Sequence, residues 1–170
     1  MKTRNSGLVF ILCLFTILLV GATGIASAED SFEPNNTIED AYPIESGITY
    51  ESWISVPGDV DLYTFEVTIA GAIDISLTSL PADYDLYLFR YNPEEDSWDW
   101  VAFSNNWGSE DEEIHESNMP TGTYIIDIEG YEDVYDANDS YLLLATYPEG
   151  ITPIQITTWG SIKLNYTETR

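Results

Sequence analysis

Short runs in which apolar and polar residues alternate recur along this chain from about residue 49. They are TYESWISV from Thr49, DLYTFEV from Asp61, AIDISLTSL from Ala72, DLYLFRY from Asp85, WVAFS from Trp100, TYIIDIEGY from Thr123 and SYLLLAT from Ser140. Alternation over four to eight residues, rich in Tyr, Ile, Val and Phe, predicts β-strands, because successive side chains of a strand point to opposite faces. Pairs such as Pro57-Gly58 and Asn92-Pro93 predict turns between the runs. The pattern predicts an all-β, antiparallel β-sandwich of about eight short strands.

The alternation also predicts which side chains face the core. The expected inward-facing residues are Ile73, Ile75, Leu77, Tyr124, Ile126 and Ile128. The run DLYLFRY is apolar at both parities, which is typical of a central strand. Only Asn36 to Tyr42 could form a helical turn. The acidic run EDEE, residues 110–113, is expected to be a solvated loop.

The first residues have the composition of an export signal. Lys2 and Arg4 precede an almost wholly apolar stretch, residues 8–20, and the small residues Ala26 to Ala28 offer a cleavage site. We therefore expect a signal peptide at residues 1–28 and a secreted or cell-surface protein. The apolar stretch is short for a membrane span, which needs about 20 residues, and no membrane span is expected in the mature chain.

The rest of the chain has the length of one domain. We expect a β-sandwich at residues 29–147 and a tail at residues 148–170, which is either one more strand or an attachment segment. The only cysteine, Cys13, lies in the expected leader. No disulfide can then stabilise the mature chain, so the hydrophobic core or another link must do so.

The chain is strongly acidic. It has 30 Asp and Glu residues against 5 Lys and Arg residues, for a formal net charge of −25 at pH 7. Such a surface repels nucleic acid and anionic lipid and attracts cations, so we expect no nucleic-acid partner. For most individual carboxylates, a solvated surface that keeps the protein soluble is a sufficient explanation.

Five motifs occur in an order and spacing that resemble a known family. They are FEPNNTIEDAYPI, GDVDLYTF, ADYDLYLF, GTYIIDIEGY and SYLLLA. Over roughly residues 30–147 the chain resembles the bacterial pre-peptidase C-terminal domain, a relative of the collagen-binding domains of bacterial collagenases. The resemblance implies a jelly-roll-like β-sandwich that is secreted, is not catalytic and usually accompanies a peptidase or another exported enzyme.

The resemblance also implies a calcium site. The collagen-binding relatives hold calcium between an N-terminal segment and acidic residues of a following strand turn. Carried over by position, Glu33, Asn35 and Asn36 match the N-terminal segment, and Asp59 and Asp61 of GDVD are the candidates for the opposite side.

The chemistry of these residues is compatible with calcium, which prefers six to eight oxygen ligands. In an extended strand Asp59 and Asp61 would point to one side, where they repel unless a cation or donors lie between them. The alternative is that Asn35, Asn36 and Asp59 only cap turns through hydrogen bonds to the backbone. Glycosylation sequons also begin at Asn35, Asn138 and Asn165.

A tryptophan cluster is the candidate ligand-binding feature. The stretch DSWDWVAFSNNWG contains Trp98, Trp100 and Trp107. Exposed tryptophans on a sandwich can stack on sugar rings or on the prolines of a peptide. Tryptophans that instead fill the core are an equally reasonable explanation.

No motif for catalysis is present. A Ser-His-Asp triad would have to use the only histidine, His115, which lies among glutamates and is expected at the surface. Asp83 and Asp85 are of the residue type that forms a glycosidase acid/base pair. The family resemblance instead implies that they are turn residues that help to specify the fold.

The sequence therefore favours a secreted, non-catalytic, calcium-stabilised β-sandwich module. It would bind an extracellular polymer, either a protein fibre or a polysaccharide, or a cell-surface partner, or assist an exported peptidase. A structural component of the envelope or matrix is the alternative, and a hydrolase with paired carboxylates is a third.

Overall fold

Residues 31–150 of the computed structural model are described here. They form nine β-strands and two short 3₁₀ turns, at Ile38–Asp40 and Tyr131–Asp133. The strands are β1 (Tyr42–Pro43), β2 (Thr49–Ser52), β3 (Val60–Val67), β4 (Gly71–Thr78), β5 (Tyr84–Asn92), β6 (Ser97–Ser104), β7 (Glu112–Met119), β8 (Gly122–Gly130) and β9 (Tyr141–Thr146). The predicted signal peptide and residues 151–170 of the predicted tail lie outside this range. No helix within residues 31–150 is long and apolar enough to cross a membrane.

The strands form the two sheets of a sandwich, which confirms the predicted fold class. The first sheet has the order β1-β3-β8-β5-β6, and the second has the order β2-β9-β4-β7. All pairings are antiparallel except the short one between β1 and β3. Strand β5 lies between β8 and β6, so the run that is apolar at both parities is an interior strand, as predicted.

The inner faces of the two sheets form one hydrophobic core. All six side chains that were predicted to face inward are buried: Ile73, Ile75, Leu77, Tyr124, Ile126 and Ile128. The core also buries tyrosines whose hydroxyl groups are hydrogen-bonded. The hydroxyl of Tyr63 lies 2.8 Å from that of Tyr141, and Tyr124 donates to the carbonyl of Pro120. Paired hydroxyls reduce the cost of burying these rings, because an unpaired buried hydroxyl would lose its bonds to water.

The acidic run EDEE is only partly the solvated loop that was predicted. Glu110 and Asp111 are exposed, but strand β7 begins at Glu112, whose side chain is fully buried. Its carboxylate accepts hydrogen bonds from the hydroxyl of Ser104 and from the backbone N–H of Asn106. These donors replace water, so a glutamate can occupy an inward-facing strand position.

Candidate functional site

The N-terminal segment lies against the start of β3. The N–H of Leu62 donates to the carbonyl of Asn35 (2.9 Å), and the N–H of Val60 donates to Oδ1 of Asn36 (3.1 Å). Further along, the short parallel pairing of β1 with β3 continues the contact. These bonds bring FEPNNT next to GDVD, as the proposed calcium site requires.

Three carboxylates meet where the segment reaches β3. One oxygen from each of Glu33, Asp59 and Asp61 lies within 4.8 Å of the others. Asp59 and Asp61 are buried, and Glu33 is half-buried. Three negative charges at this separation repel strongly in a poorly solvated site, and a cation would offset the repulsion. We call this group the carboxylate cluster, and it could hold a metal ion.

Neutral donors hold the two buried carboxylates in place. Oδ2 of Asp59 accepts bonds from the N–H (2.6 Å) and the hydroxyl (3.2 Å) of Ser55. Oδ2 of Asp61 accepts bonds from the hydroxyls of Ser52 (3.2 Å) and Tyr141. These bonds orient the carboxylates, but they bring no positive charge to the cluster.

The basic side chains of the described part of the chain are engaged elsewhere. Arg90 donates to the carbonyl of Thr121, and His115 pairs with Asp74. The carboxylate of Asp74 raises the pKa of exposed His115. Within residues 31–150, therefore, neither of these side chains balances the carboxylate cluster.

The two asparagines differ in their surroundings. Asn35 is fully buried, and its side-chain Oδ1 and Nδ2 have no hydrogen-bond partner among the described residues. Its backbone N–H donates to Oε2 of Glu33 (3.0 Å), which ties it to the cluster. Asn36 is exposed, and its Oδ1 already accepts the bond from Val60. Burial also makes the sequon at Asn35 inaccessible in the folded domain.

Aromatic side chains line the outer face of the first sheet along β5 and β6. Three cross-strand pairs, which we call the aromatic ladder, have ring centroids 5.4–6.5 Å apart: Tyr87–Phe103, Phe89–Trp100 and Tyr91–Trp98. Trp100 is 56% exposed and Phe103 is 52% exposed, whereas Trp98 is half-buried. Strand β6 is at the edge of its sheet, so the aromatic ladder is open to solvent along one side.

Trp107 is not part of the aromatic ladder. It lies in the connection between β6 and β7, is 81% exposed, and packs against Tyr131 with ring centroids 6.1 Å apart. Asp83, Asp85 and Tyr131 line a cleft of about 240 Å³ together with Asn105, Asn106 and Trp107. The three predicted tryptophans therefore occupy two sites.

The outer face of the first sheet also carries carboxylates. Asp127 of β8 is opposite Tyr87, and burial, with a smaller effect of Glu129, raises the pKa of Asp127 to about 7. Burial also raises the pKa of Asp85, although the hydroxyl of Tyr87 donates to it (2.9 Å). Sequence reasoning missed Asp127 and the tyrosines of the ladder. The outward parity of DLYLFRY, with Tyr87, Phe89 and Tyr91, was the signal that could have identified the ladder.

The histidine has a neighbourhood that the sequence did not predict. His115, Asp74 and Ser76 line one shallow depression on the second sheet. Within the described residues Ser76 makes no hydrogen bond to His115, and the side chains of His115 and Asp74 are 71% and 53% exposed. A nucleophile activated by a base needs that hydrogen bond and shelter from water. The depression therefore lacks the geometry of a catalytic triad.

Comparisons with known proteins agree with the β-sandwich fold and with the family resemblance. Residues 59–130 match the family described as bacterial pre-peptidase C-terminal domain. The pre-peptidase C-terminal domain of collagenase from Bacillus anthracis is similar in structure, with a TM-score of 0.52 and 25% identity, over 66% of this chain and 100% of that one. PliG, a periplasmic lysozyme inhibitor from Aeromonas hydrophila, gives a TM-score of 0.46 and 9% identity, over 62% of this chain and 94% of that one. No curated protein sequence matches the chain.

The family match begins at Asp59, so it contains Asp59 and Asp61 but not the N-terminal part of the carboxylate cluster. The collagenase domain, which bears the name of the matched family, is similar to this chain in its fold. The resemblance drawn from the sequence motifs is confirmed, since residues 59–130 of this chain match the bacterial pre-peptidase C-terminal domain.

Proposed function

We propose that the protein is a secreted, non-catalytic β-sandwich module that calcium stabilises and that binds an extracellular polymer through its aromatic ladder. The observation that carries the binding role is the exposure of Trp100 and Phe103 on the open edge of the first sheet. Exposed aromatic side chains in a contiguous group are uncommon on a surface without a partner, because they cost free energy in water.

The shape of the aromatic ladder suits an extended ligand. Its three rungs follow β5 and β6; the rungs are two residues apart on β5, and the register shift at Leu88 and Phe89 makes one of the two steps on β6 three residues long. Side chains on one face of a strand repeat every two residues, roughly 6.5–7 Å. A linear polymer with flat apolar faces, such as sugar rings or prolines, could contact several rungs at once.

A non-catalytic role is consistent with the site chemistry. The buried carboxylates Asp59, Asp61 and Glu112 are held by hydrogen bonds from neighbouring groups and pack into the sandwich. The depression at His115 has no activated nucleophile within the described residues. The family to which the domain belongs implies an accessory module, which agrees with this proposal.

Calcium is the cation that best fits the carboxylate cluster. Carboxylate and amide oxygens are the ligands that calcium prefers, and Glu33, Asp59 and Asp61 supply them at one place. The buried Asn35, whose Oδ1 accepts no hydrogen bond within residues 31–150, supports a ligand there. A bound ion would link the N-terminal segment to β3 in a domain that has no disulfide.

The binding role is tested by co-sedimentation of the purified mature protein with insoluble polysaccharides and with fibrous protein. Trp100→Ala should lower the apparent affinity about tenfold, because a central exposed tryptophan is the kind of side chain that dominates binding energy. Ile69→Ala is the matched control, since Ile69 is also about half exposed but lies in the turn between β3 and β4. The proposal fails if the parent binds no polymer, or if Trp100→Ala and Ile69→Ala bind equally well.

A further inference from the structure

The cleft beside Trp107 is a second recognition site. Its walls are aromatic: Trp107 is 81% exposed, Tyr131 is 46% exposed, and the two rings lie at an interplanar angle of 57°. Its polar lining consists of Asp83, Asp85, Asn105 and Asn106. We call it the acidic cleft. At about 240 Å³ it is smaller than the roughly 300–1,000 Å³ of a small-molecule pocket, which suits a single side chain.

Several carboxyl groups lie close together in and beside the acidic cleft. Burial raises the pKa of Asp85, and the neighbouring Asp83 raises it further. Burial likewise raises the pKa of Glu112, and both aspartates add to that effect. Arg90 and His115 are bonded elsewhere, so neither of them neutralises the aspartates. A cation placed between the aspartates would lower the electrostatic free energy of the folded protein.

The hydrogen-bonding groups of the acidic cleft are mainly acceptors. The carboxylates of Asp83 and Asp85 only accept when ionised. Nδ2 of Asn106 donates to the carbonyl of Asp111 (2.8 Å), so at least one hydrogen of this amide is not available to a ligand. A sugar hydroxyl needs partners of both kinds, whereas guanidinium and ammonium groups only donate. The lining therefore favours a cationic donor over a neutral carbohydrate.

The wall that carries Tyr131 is fixed by the backbone. The N–H of Tyr131 donates to the carbonyl of Asp83 (2.8 Å), which links the aromatic wall to the acidic floor. Gly130 cannot be replaced, because a Cβ there would lie 1.8 Å from the carbonyl oxygen of Val134. Glu132 and Asp133 follow with φ of 53° and 61°, in the left-handed region. The wall is thus held in place before any ligand arrives, which lowers the entropic cost of binding.

We propose that the acidic cleft binds the guanidinium group of an arginine side chain on a partner polypeptide, with the guanidinium plane against Trp107 and its N–H groups directed at Asp83. Guanidinium stacks on aromatic faces and forms paired hydrogen bonds with carboxylates, which a lysine ammonium does less well. This inference rests on the proposed function and narrows the polymer to a protein with exposed arginines.

The test uses the full mature protein and a capped glycine-serine peptide that contains several arginines. Binding is measured by calorimetry at constant ionic strength and calcium concentration, against the same peptide with citrulline or lysine in place of arginine. We expect the arginine peptide to bind most tightly, the lysine peptide less tightly and the citrulline peptide most weakly. Trp107→Ala and Asp83→Asn should each weaken binding of the arginine peptide about two- to thirtyfold, the range of a cation–π or exposed charge contact.

Two controls separate this site from the overall charge and from the aromatic ladder. Glu94→Gln removes an exposed carboxylate at the turn between β5 and β6 and should leave the affinity unchanged. Trp100→Ala should also leave the affinity for the arginine peptide unchanged. Polymer binding by the ladder is thus tested with Trp100→Ala, and arginine binding by the cleft is tested separately with Trp107→Ala and Asp83→Asn. Equal affinity for the citrulline peptide, or an equal loss in Glu94→Gln and Asp83→Asn, would overturn the proposal. So would a neutral oligosaccharide that binds in a Trp107-dependent manner while the arginine peptide does not.

Discussion

At the scale of single residues, Asp127 is a carboxyl group whose pKa lies well above the ordinary value of an aspartate. It lies between Leu62 of β3 and Tyr87 of β5, and its Oδ1 is buried without a hydrogen-bond partner among residues 31–150. Loss of hydration penalises its charged form, and repulsion from Glu129 adds to the penalty, so its pKa rises from 3.8 to about 7.

This pKa predicts a pH-dependent stability. Because the folded state binds the proton more tightly than the unfolded state, the contribution of Asp127 to the free energy of unfolding falls as pH rises from about 4 to about 7, and it is constant above that range. Asp127→Asn should remove this decrease. At about 1.4 kcal/mol per unit of pKa, the free energy of unfolding of the variant at pH 8 should exceed that of the parent by at most about 4 kcal/mol.

The measurement is urea unfolding of parent and variant at several pH values between 4 and 8. Glu95→Gln, at the exposed turn between β5 and β6, serves as the control and should give a curve parallel to that of the parent. If the curve of Asp127→Asn is also parallel to the parent curve, the proton on Asp127 does not contribute to stability.

Sequence reasoning identified some of these residues and missed others for a physical reason. Asp59 and Asp61 stand two residues apart in the motif GDVD, and the family resemblance placed Glu33 near them. The burial of Asp127 and Glu112 depends on which strands lie beside them, and that is not encoded within their own segments. A polar residue in an alternating run is normally assigned to the solvent face.

At the scale of elements, the N-terminal segment joins the sandwich through few strand pairings and through the packing of Phe32 on Tyr42, Tyr50 and Tyr63. Its strand, β1, pairs with β3 over only two residues, Tyr42 with Tyr63 and Pro43 with Thr64. The carboxylate cluster lies at the other end of the segment, where Glu33 meets Asp59 and Asp61. A cation there would add an attachment to the hydrogen bonds that the carbonyl of Asn35 and Oδ1 of Asn36 accept from β3.

We therefore predict that calcium raises the melting temperature relative to chelator. A ligand present at a hundred times its dissociation constant stabilises the native state by about 2.7 kcal/mol, which amounts to several degrees for a domain of this size. Magnesium should have a smaller effect, since it requires a compact octahedral shell. Glu33→Gln should lose most of the calcium response.

The control is Glu39→Gln, which removes an exposed carboxylate from the 3₁₀ turn of the same segment and should keep the full response. The melts are recorded by circular dichroism at constant high ionic strength. Identical melting temperatures of the parent in calcium and in chelator would rule out the metal site.

Two strands, β1 and β7, could not be predicted from the alternation of apolar and polar residues. Alternation located all the longer strands except β7, because its sequence EEIHESNM has only two apolar residues, Ile114 and Met119, and so shows no period. Strand β1 is too short to show any period. Its pairing with β3 is set by the path of the segment over the sheet, which no local pattern records.

At the scale of the whole molecule, the net charge of −25 works against the compact state. Folding brings the carboxylates closer together, and of the basic side chains only Arg90 and His115 lie within residues 31–150. Mutual repulsion of this kind is long-ranged in low salt, where the Debye length is about 30 Å at 0.01 M, and it is screened at 1 M, where it is about 3 Å.

The melting temperature in chelator should therefore rise by several degrees as sodium chloride increases from about 0.01 M to about 1 M. Tetramethylammonium chloride should act alike, because screening depends on ionic strength and not on site binding. A melting temperature that does not rise with either salt would show that repulsion has little weight in the stability of this fold.

Contacts between the segment that follows β1 and the residue that follows β9 determine when the sandwich can close. Tyr147 donates to the carbonyl of Ile44, and its carbonyl accepts from the hydroxyl of Ser46, across sequence separations of 103 and 101 residues. Among residues 31–150, strand β2 likewise pairs only with β9. Proteins dominated by such distant pairings have high contact order and fold in milliseconds to seconds. On a ribosome, β2 must wait without this partner until β9 has been synthesised and has emerged, so the sandwich can close only after nearly all of the described residues are available.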